Sequence, residues 1–336
     1  MEFIDPKKVP QRTLYDGGKM PCIGMGTFGS DKYTPEQVSA AVSGAIKAGY
    51  RMFDCAAVYG NEDMIGDVFQ DALNSGIVSR GELFVATKVW NNMHGRGDVL
   101  VSMARSLKDL QLDYVDAFYV HWPFPNYHAP GCDGDSRNPA SKPFSVERFM
   151  ATWQQCEKLV DMGLTRYIGM SNMTVPKLEA VLPLCRIKPA MIELELHPSF
   201  QQPDLFDYII SKGIEPIGFC PIGSPSRPER DKTESDVVDT EIPEVVEIAK
   251  AHGVHPAIVC LKWAVQRGQT PIPFSVNEEK YTGNLKCVTE DPLTDKEMQA
   301  IEAVDSDCRL IKGQVFLWPG AKGWEDLWDL NGTITK

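Results

Sequence analysis

Short apolar runs recur along this chain, and each breaks at its C-terminal end on a residue able to do chemistry. Residues 51–54 (RMFD) close on Asp54, with Tyr59 in the loop beyond, and residues 83–88 (LFVATK) close on Lys88. Residues 114–121 (YVDAFYVH) end on His121, and residues 165–172 (TRYIGMSN) end on Ser171 and Asn172. Residues 190–195 (AMIELE) carry Glu193, and residues 214–219 (IEPIGF) end on Phe219. Strands covered on both faces read as apolar runs that turn polar where they leave the core. When the break always falls at the same end, the strands are parallel and one rim of the sheet collects the polar groups. A (β/α)₈ barrel is built this way.

Between the strands the periodicity becomes helical. Residues 36–48 read as the first helix, with Thr34 as N-cap, Pro35 at the first helical position and Gly49 as the stop. Residues 61–73, 98–110, 146–162, 175–182 and 203–212 follow with the same spacing. Residues 270–273 predict the eighth strand and 277–286 its helix. Ahead of the barrel, residues 13–21 predict a hairpin turning at Asp16-Gly17-Gly18. The predicted fold is α/β: a TIM barrel in one domain across residues 1–336, with its core at about 22–290 and right-handed crossovers. Long segments interrupt it at 122–145 and 223–241, and an extended tail at about 305–336 carries Trp318, Trp324 and Trp328. Long rim loops are usually functional. The tail tryptophans either close the barrel mouth or pack on its exterior.

Of the 336 residues, 43% are hydrophobic, enough for such a core. Lys and Arg total 34 against 46 Asp and Glu, a net charge of −12 that argues against nucleic acid or an anionic membrane as partner. The nine cysteines form no C-x-x-C pair and are odd in number, which fits a reduced compartment. No apolar signal segment and no membrane-length apolar run is present, so a cytoplasmic protein is expected. A monomer or weak dimer is the expected state.

The stretch 51–62 (RMFDCAAVYGNE), Lys88, the His121-Trp122-Pro123 triplet and Ser171-Asn172 occur in one order on successive strands. Together they closely resemble the aldo-keto reductase family, over about residues 13–308. The resemblance implies hydride transfer between a nicotinamide cofactor and a small aldehyde, ketone or sugar-like substrate. Tyr59 would be the proton donor. A free phenol titrates near pH 10, and the Lys88 ammonium would draw it toward the working range. Asp54 would keep Lys88 charged and oriented, while His121 would hydrogen-bond and orient the carbonyl oxygen. Taken singly, such residues are usually solvated or in structural ion pairs; as an ordered set they point to catalysis.

By the same resemblance Ser171 and Asn172 hold the nicotinamide carboxamide, and Phe219 stands where the family usually stacks a tyrosine on the ring. Gly223 and Ser224 open the loop over the pyrophosphate, and Phe274, Ser275, Asn277, Lys280 and Asn284 form the adenosine site. Two positions depart from the family. Phe274 replaces a lysine that pairs with the 2′-phosphate of NADP, and Lys280 replaces an arginine, losing the bidentate fork. The cofactor is therefore expected to be NAD(P)(H), leaning toward NAD(H) or dual use. Glu193 stands where a glutamine usually binds the carboxamide. An ionised Glu193 would attract an oxidised nicotinamide ring by roughly 3 kcal/mol at about 5 Å and an effective dielectric of about 20, favouring the dehydrogenase direction; a protonated or solvent-facing one would not.

Phe28 and Trp122, with Tyr59 and His121, are the candidate substrate wall. His128, Cys132, Asp133 and Asp135 invite a zinc reading, but their spacing matches no standard ligand pattern. His197, followed by Pro198, reads as structural. Two rivals stand beside the reductase. One is a cofactor-binding regulatory subunit with little turnover. The other is a metal-dependent barrel hydrolase, which should bring more His and carboxylate ligands to the strand ends.

Overall fold

The structure, a computed structural model, describes residues 2–127, 137–225 and 227–335. Strands β1 (Gln11–Thr13) and β2 (Lys19–Pro21) form the antiparallel hairpin. Eight strands follow: β3 (Met25–Gly26), β4 (Met52–Asp54), β5 (Phe84–Val89), β6 (Val115–Val120), β7 (Thr165–Ser171), β8 (Met191–Glu195), β9 (Glu215–Phe219) and β10 (Thr270–Pro271). Each pairs in parallel with its successor. Gly24 N–H donates to Pro271 O at 3.0 Å and Gly26 N–H to Pro273 O at 3.1 Å, so the last strand meets the first and the barrel closes. Proline has no N–H. With prolines at 271 and 273, regular pairing in β10 therefore covers two residues rather than the four expected.

The helices are α1 (Pro35–Ala48), α2 (Glu62–Asn74), α3 (Asp98–Leu110), α4 (Val146–Asp161), α5 (Val175–Val181), α6 (Pro203–Ser211), α7 (Pro243–His252), α8 (Pro256–Gln266), α9 (Glu278–Lys286), α10 (Asp295–Glu302) and α11 (Glu325–Trp328). Helix α1 starts as expected, with a reciprocal box between Thr34 and Gln37, and it stops at Gly49, whose φ of 118° suits a residue without Cβ. Helices α7 and α8 lie beyond the expected set; both precede β10, and each opens on a proline at its first turn.

Side chains alternate across each strand, so every second residue faces the barrel interior. Met52, Phe84, Ala86, Ala117, Tyr119, Tyr167, Met191, Ile217 and Ile272 pack there with Leu14 and Met20 of the hairpin. The Tyr167 hydroxyl donates to Asp16 at 3.0 Å, and Arg12 pairs with Glu215 at 3.2 Å, so the hairpin plugs the N-terminal end. Gly169 leaves room for Tyr119, whose ring would lie 2.5 Å from an added Cβ. Two residues beyond this apolar layer the same face presents Asp54, Lys88, His121, Glu193 and Phe219, and on β7, one further step past Gly169, Ser171. The alternation that fills the core thus also aims the polar residues at one rim.

A buried histidine ties the rim segments together. His197 Nε2 lies 3.0 Å from Glu195 and its Nδ1 2.8 Å from Asp239, all fully buried. Asp239 belongs to the long segment after β9, and Glu195 accepts Leu310 N–H at 2.6 Å and Ile311 N–H at 2.9 Å from the tail. The tail therefore crosses the C-terminal rim. Arg309 sits 3.6 Å from the Trp328 ring centre and 4.4 Å from that of Phe200, Lys177 pairs with Asp329, and Trp318 and Trp328 are buried. Burial alone would push the His197 imidazole down. Hydrogen bonds to Asp239 and Glu195 outweigh it and carry the pKa up to about 9.

A histidine raised in the folded state contributes stability that is complete below its unfolded pKa and lost as pH rises through the folded value. The clamp should therefore supply about 3 kcal/mol at pH 6 that fades by pH 9 to 10. Urea unfolding of the parent and of His197→Gln across that range checks this. The difference between them should shrink as pH rises.

Candidate active site

Three groups meet at the C-terminal mouth of the barrel. Asp54 closes β4, Lys88 projects inward from β5, and Glu193 reaches across from β8. Lys88 Nζ lies 2.5 Å from Asp54 Oδ2 and 3.5 Å from Glu193 Oε1, and it donates to Cys55 O at 3.1 Å. Lys88 is fully buried, and the two carboxyls are 2% and 3% exposed. Burial works against the ammonium, yet the two carboxyls outweigh it and hold Lys88 above the usual amine range. Burial also raises Asp54, with Lys88 pulling it back. Glu193 is pushed up to about 8 by burial and by the neighbouring charge of Asp54. That shift favours the protonated form of Glu193 at neutral pH, the alternative to a standing negative charge there.

Tyr59 stands half-buried in the short turn after β4, with Lys88 Nζ 5.4 Å from its ring centre. The ammonium acts on the phenol by charge and by hydrogen bonding, both lowering its pKa. Desolvation is larger, and the Asp54 and Glu193 carboxyls push the same way, so the phenol ends above its usual range. The expected shift toward neutrality is therefore outweighed. Tyr59 keeps its proton, as a donor must.

His121 lies just past β6, its ring 5.9 Å from that of Tyr59 and nearly perpendicular to it at 82°. Burial, assisted by the Lys88 charge, holds the imidazole well below its usual pKa, so it is neutral and carries one N–H. Asn172 adopts the left-handed conformation (φ 58°) that asparagine tolerates, and its Nδ2 donates to His121 O at 2.9 Å and Ser171 Oγ at 3.2 Å. Its Oδ1 is buried without a partner. An acceptor left over beside a serine hydroxyl fits a ligand amide, which brings both donors and an acceptor. Ser171 pairs in register with Glu193, and Phe219 closes the next strand.

Farther out, Gly223 (φ 69°) packs against Asp239, and a Cβ there would meet that carboxylate at 2.7 Å. Ser224 follows it, and Arg227, paired with Asp236, ties the loop down. Around β10 and α9, Ser275 accepts from Asn277 N at 3.1 Å and Asn277 caps Lys280 N at 3.0 Å. Lys280 is exposed and Asn284 is buried. The Phe274 ring packs on Tyr33, centres 5.8 Å apart, with Glu278 and Glu279 in the adjacent first helical turn.

Phe28 is 37% exposed and lies 5.2 Å from Tyr59, as a pocket wall requires. Trp122 does not stand open beside it. It is 5% exposed under the tail, 4.3 Å from Phe316 and 5.6 Å from Trp328. The ring that flanks His121 is Trp90, at 5.0 Å, and Phe316 continues the wall at 5.8 Å from Trp90. Trp90 was legible, two residues beyond Lys88 on the same face. Phe316 sits in an aperiodic tail and left no such signal. The loop residues His128, Cys132, Asp133 and Asp135 lie outside the described residues.

The sequence matches the Aldo/keto reductase family over residues 22–306. The chain belongs to that family. It is 39% identical over 320 residues to an aldo/keto reductase of Synechocystis, covering 94% of this chain and 95% of the relative. It is 37% identical over 314 residues to an NADPH-dependent D-xylose reductase of Candida boidinii, covering 89% and 94%. A crystal structure of a Bombyx mori aldo-keto reductase in complex with NADP superposes with a TM-score of 0.78 at 29% identity, covering 90% of this chain and 95% of the other.

Removing the single cation of the cluster leaves two buried carboxyls that must both be protonated. Lys88→Met should cost about 3–5 kcal/mol at pH 7. The loss should widen by roughly 1 kcal/mol per pH unit between pH 6 and 8, because the folded state then retains an extra proton. Urea unfolding at three pH values measures it, and a pH-independent loss would contradict the charge balance described above.

Proposed function

We propose that this chain interconverts the carbonyl and alcohol of a small aldehyde, ketone or sugar-like substrate using a nicotinamide cofactor. The observation that carries the reading is the convergence of a proton-bearing phenol, a buried ammonium and a neutral imidazole at one end of a parallel barrel. The bound reduced nicotinamide supplies the hydride. Tyr59 delivers the proton to the developing alkoxide, and in the reverse direction accepts it. Lys88 lowers the cost of the phenolate left behind, and Asp54 fixes the ammonium. His121 donates its N–H to the carbonyl oxygen and sets which face is presented. Ser171 and Asn172 hold the carboxamide, and the Phe219 ring offers a stacking surface without needing a hydroxyl.

Phe28, Trp90 and Phe316 give the mouth an aromatic lining, which suits the apolar faces of sugars and aromatic carbonyls alike. The relative named for D-xylose reduction supports including aldoses. Screening aldoses, ketones and polyols with both cofactors identifies the substrate class. Tyr59→Phe should lower kcat by about 10²–10⁴-fold, the range for a general acid. Its cofactor Kd, followed by protein fluorescence, should stay within about twofold. Parallel loss of both would show that Tyr59 serves binding rather than proton transfer.

The cofactor reading leans toward NAD(H) or dual use. A 2′-phosphate needs cationic partners. Here Phe274 is uncharged, Lys280 offers a point charge, and Glu278 and Glu279 lie in the same turn. The complex of the Bombyx relative with NADP supports a nicotinamide dinucleotide without deciding this chain's preference. Phe274→Lys should raise kcat/KM for NADPH about tenfold while leaving NADH nearly unchanged. Steady-state comparison of the two cofactors in both proteins tests it, and an unmodified enzyme strongly selective for NADPH would remove the idea.

A further inference from the structure

Two carboxyls share one cation in the barrel mouth, and the arrangement leaves polar atoms unmatched. Asp54 Oδ2 and Glu193 Oε1 lie against Lys88 Nζ, but Asp54 Oδ1 and Glu193 Oε2 are buried acceptors with no donor. The two carboxyls stand against the same Nζ, at 2.5 and 3.5 Å, and each raises the cost of ionising the other. One proton on this pair turns an unmatched acceptor into a donor and reduces the cluster from a net negative charge to neutrality. The 2.5 Å bond from Lys88 favours leaving Asp54 ionised, so Glu193 carries the proton. The groups that face this carboxyl are Asp54 from β4, Tyr59 after it, Lys88 from β5 and Tyr119 from β6. His121, nearby, is neutral. Glu193 also lies in register with Ser171, and its carbonyl accepts Asn172 N–H at 3.0 Å, so it adjoins the pair assigned to the carboxamide.

We propose that Glu193 is a redox-linked proton carrier, neutral beside a reduced nicotinamide and ionised beside an oxidised, positively charged one. The inference rests on the nicotinamide seat proposed above and deepens it. Binding of oxidised cofactor drives one proton from the Glu193 carboxyl to solvent, leaving a carboxylate that faces both the ammonium of Lys88 and the ring. Binding of reduced cofactor leaves that proton in place. Mass action then makes the affinity for oxidised cofactor depend on pH, while the affinity for reduced cofactor does not. With glutamine at this position no such proton is available.

The test measures Kd for NAD⁺ and NADH, with the NADP pair in parallel, from pH 6.5 to 7.5. In the parent protein Kd for oxidised cofactor should fall by up to about tenfold per pH unit, the limit for one released proton. Reduced cofactor should show no slope. Glu193→Gln should abolish the slope for oxidised cofactor, and Tyr59→Phe should keep it. Because a substitution in a buried cluster can impair folding, calorimetry on the parent protein in two buffers of different ionisation enthalpy provides the proton count directly. Close to one proton should leave with NAD⁺ and none with NADH. A count of zero, a slope that survives in Glu193→Gln, or a slope lost in Tyr59→Phe would overturn the proposal. Binding of neither cofactor pair at any pH would instead sink the nicotinamide seat itself.

Discussion

The burial of Lys88 is the constraint around which the barrel mouth is arranged. An ammonium taken out of water is unfavourable by several kcal/mol unless opposing charge surrounds it. Asp54 supplies that charge from β4, while the Glu193 carboxyl from β8 and the backbone carbonyl of Cys55 offer further oxygens to the ammonium. Those carboxyls in turn raise the pKa of the phenol that the ammonium lowers. The site is therefore a balance of opposing terms around one cation. Its geometry is fixed because each strand contributes at the same depth in the barrel.

Much of the fold was legible because a (β/α)₈ barrel writes itself twice in the sequence. The strands appear as apolar runs and the helices as a change of period, and both signals were strong at β4 through β9. The last strand was harder, since prolines at 271 and 273 remove the donors that define regular pairing. Helices α7 and α8 escaped because they follow a long polar segment with no strand between them, so the alternation of elements gave no cue. The tail could be recognised as apolar but not placed. Its position depends on contacts such as Glu195 with Leu310 and Arg309 with Trp328, which join residues more than a hundred positions apart or lie within an aperiodic stretch.

At the site, residue identity was easier to read than electrostatic state. Asp54, Tyr59, Lys88 and His121 come together as an ordered motif suggests, because each strand end is set by the same inward alternation. The protonation of Glu193 and the upward displacement of Tyr59 depend on desolvation, which belongs to three-dimensional burial and has no local sequence signature. Trp122 shows the same limit for shape. Adjacency to His121 placed it near the pocket, but alternation turns neighbouring residues to opposite faces, and the tail then covers it.

The histidine clamp has a consequence for how such a rim could diversify. The segment after β9 and the C-terminal tail, which surround the mouth, converge on one imidazole through Asp239 and Glu195. Remodelling either one in isolation would pull on the anchorage of its neighbour. Swapping loops to redirect substrate choice would therefore succeed best as an exchange of both pieces together, grafted on either side of that shared post.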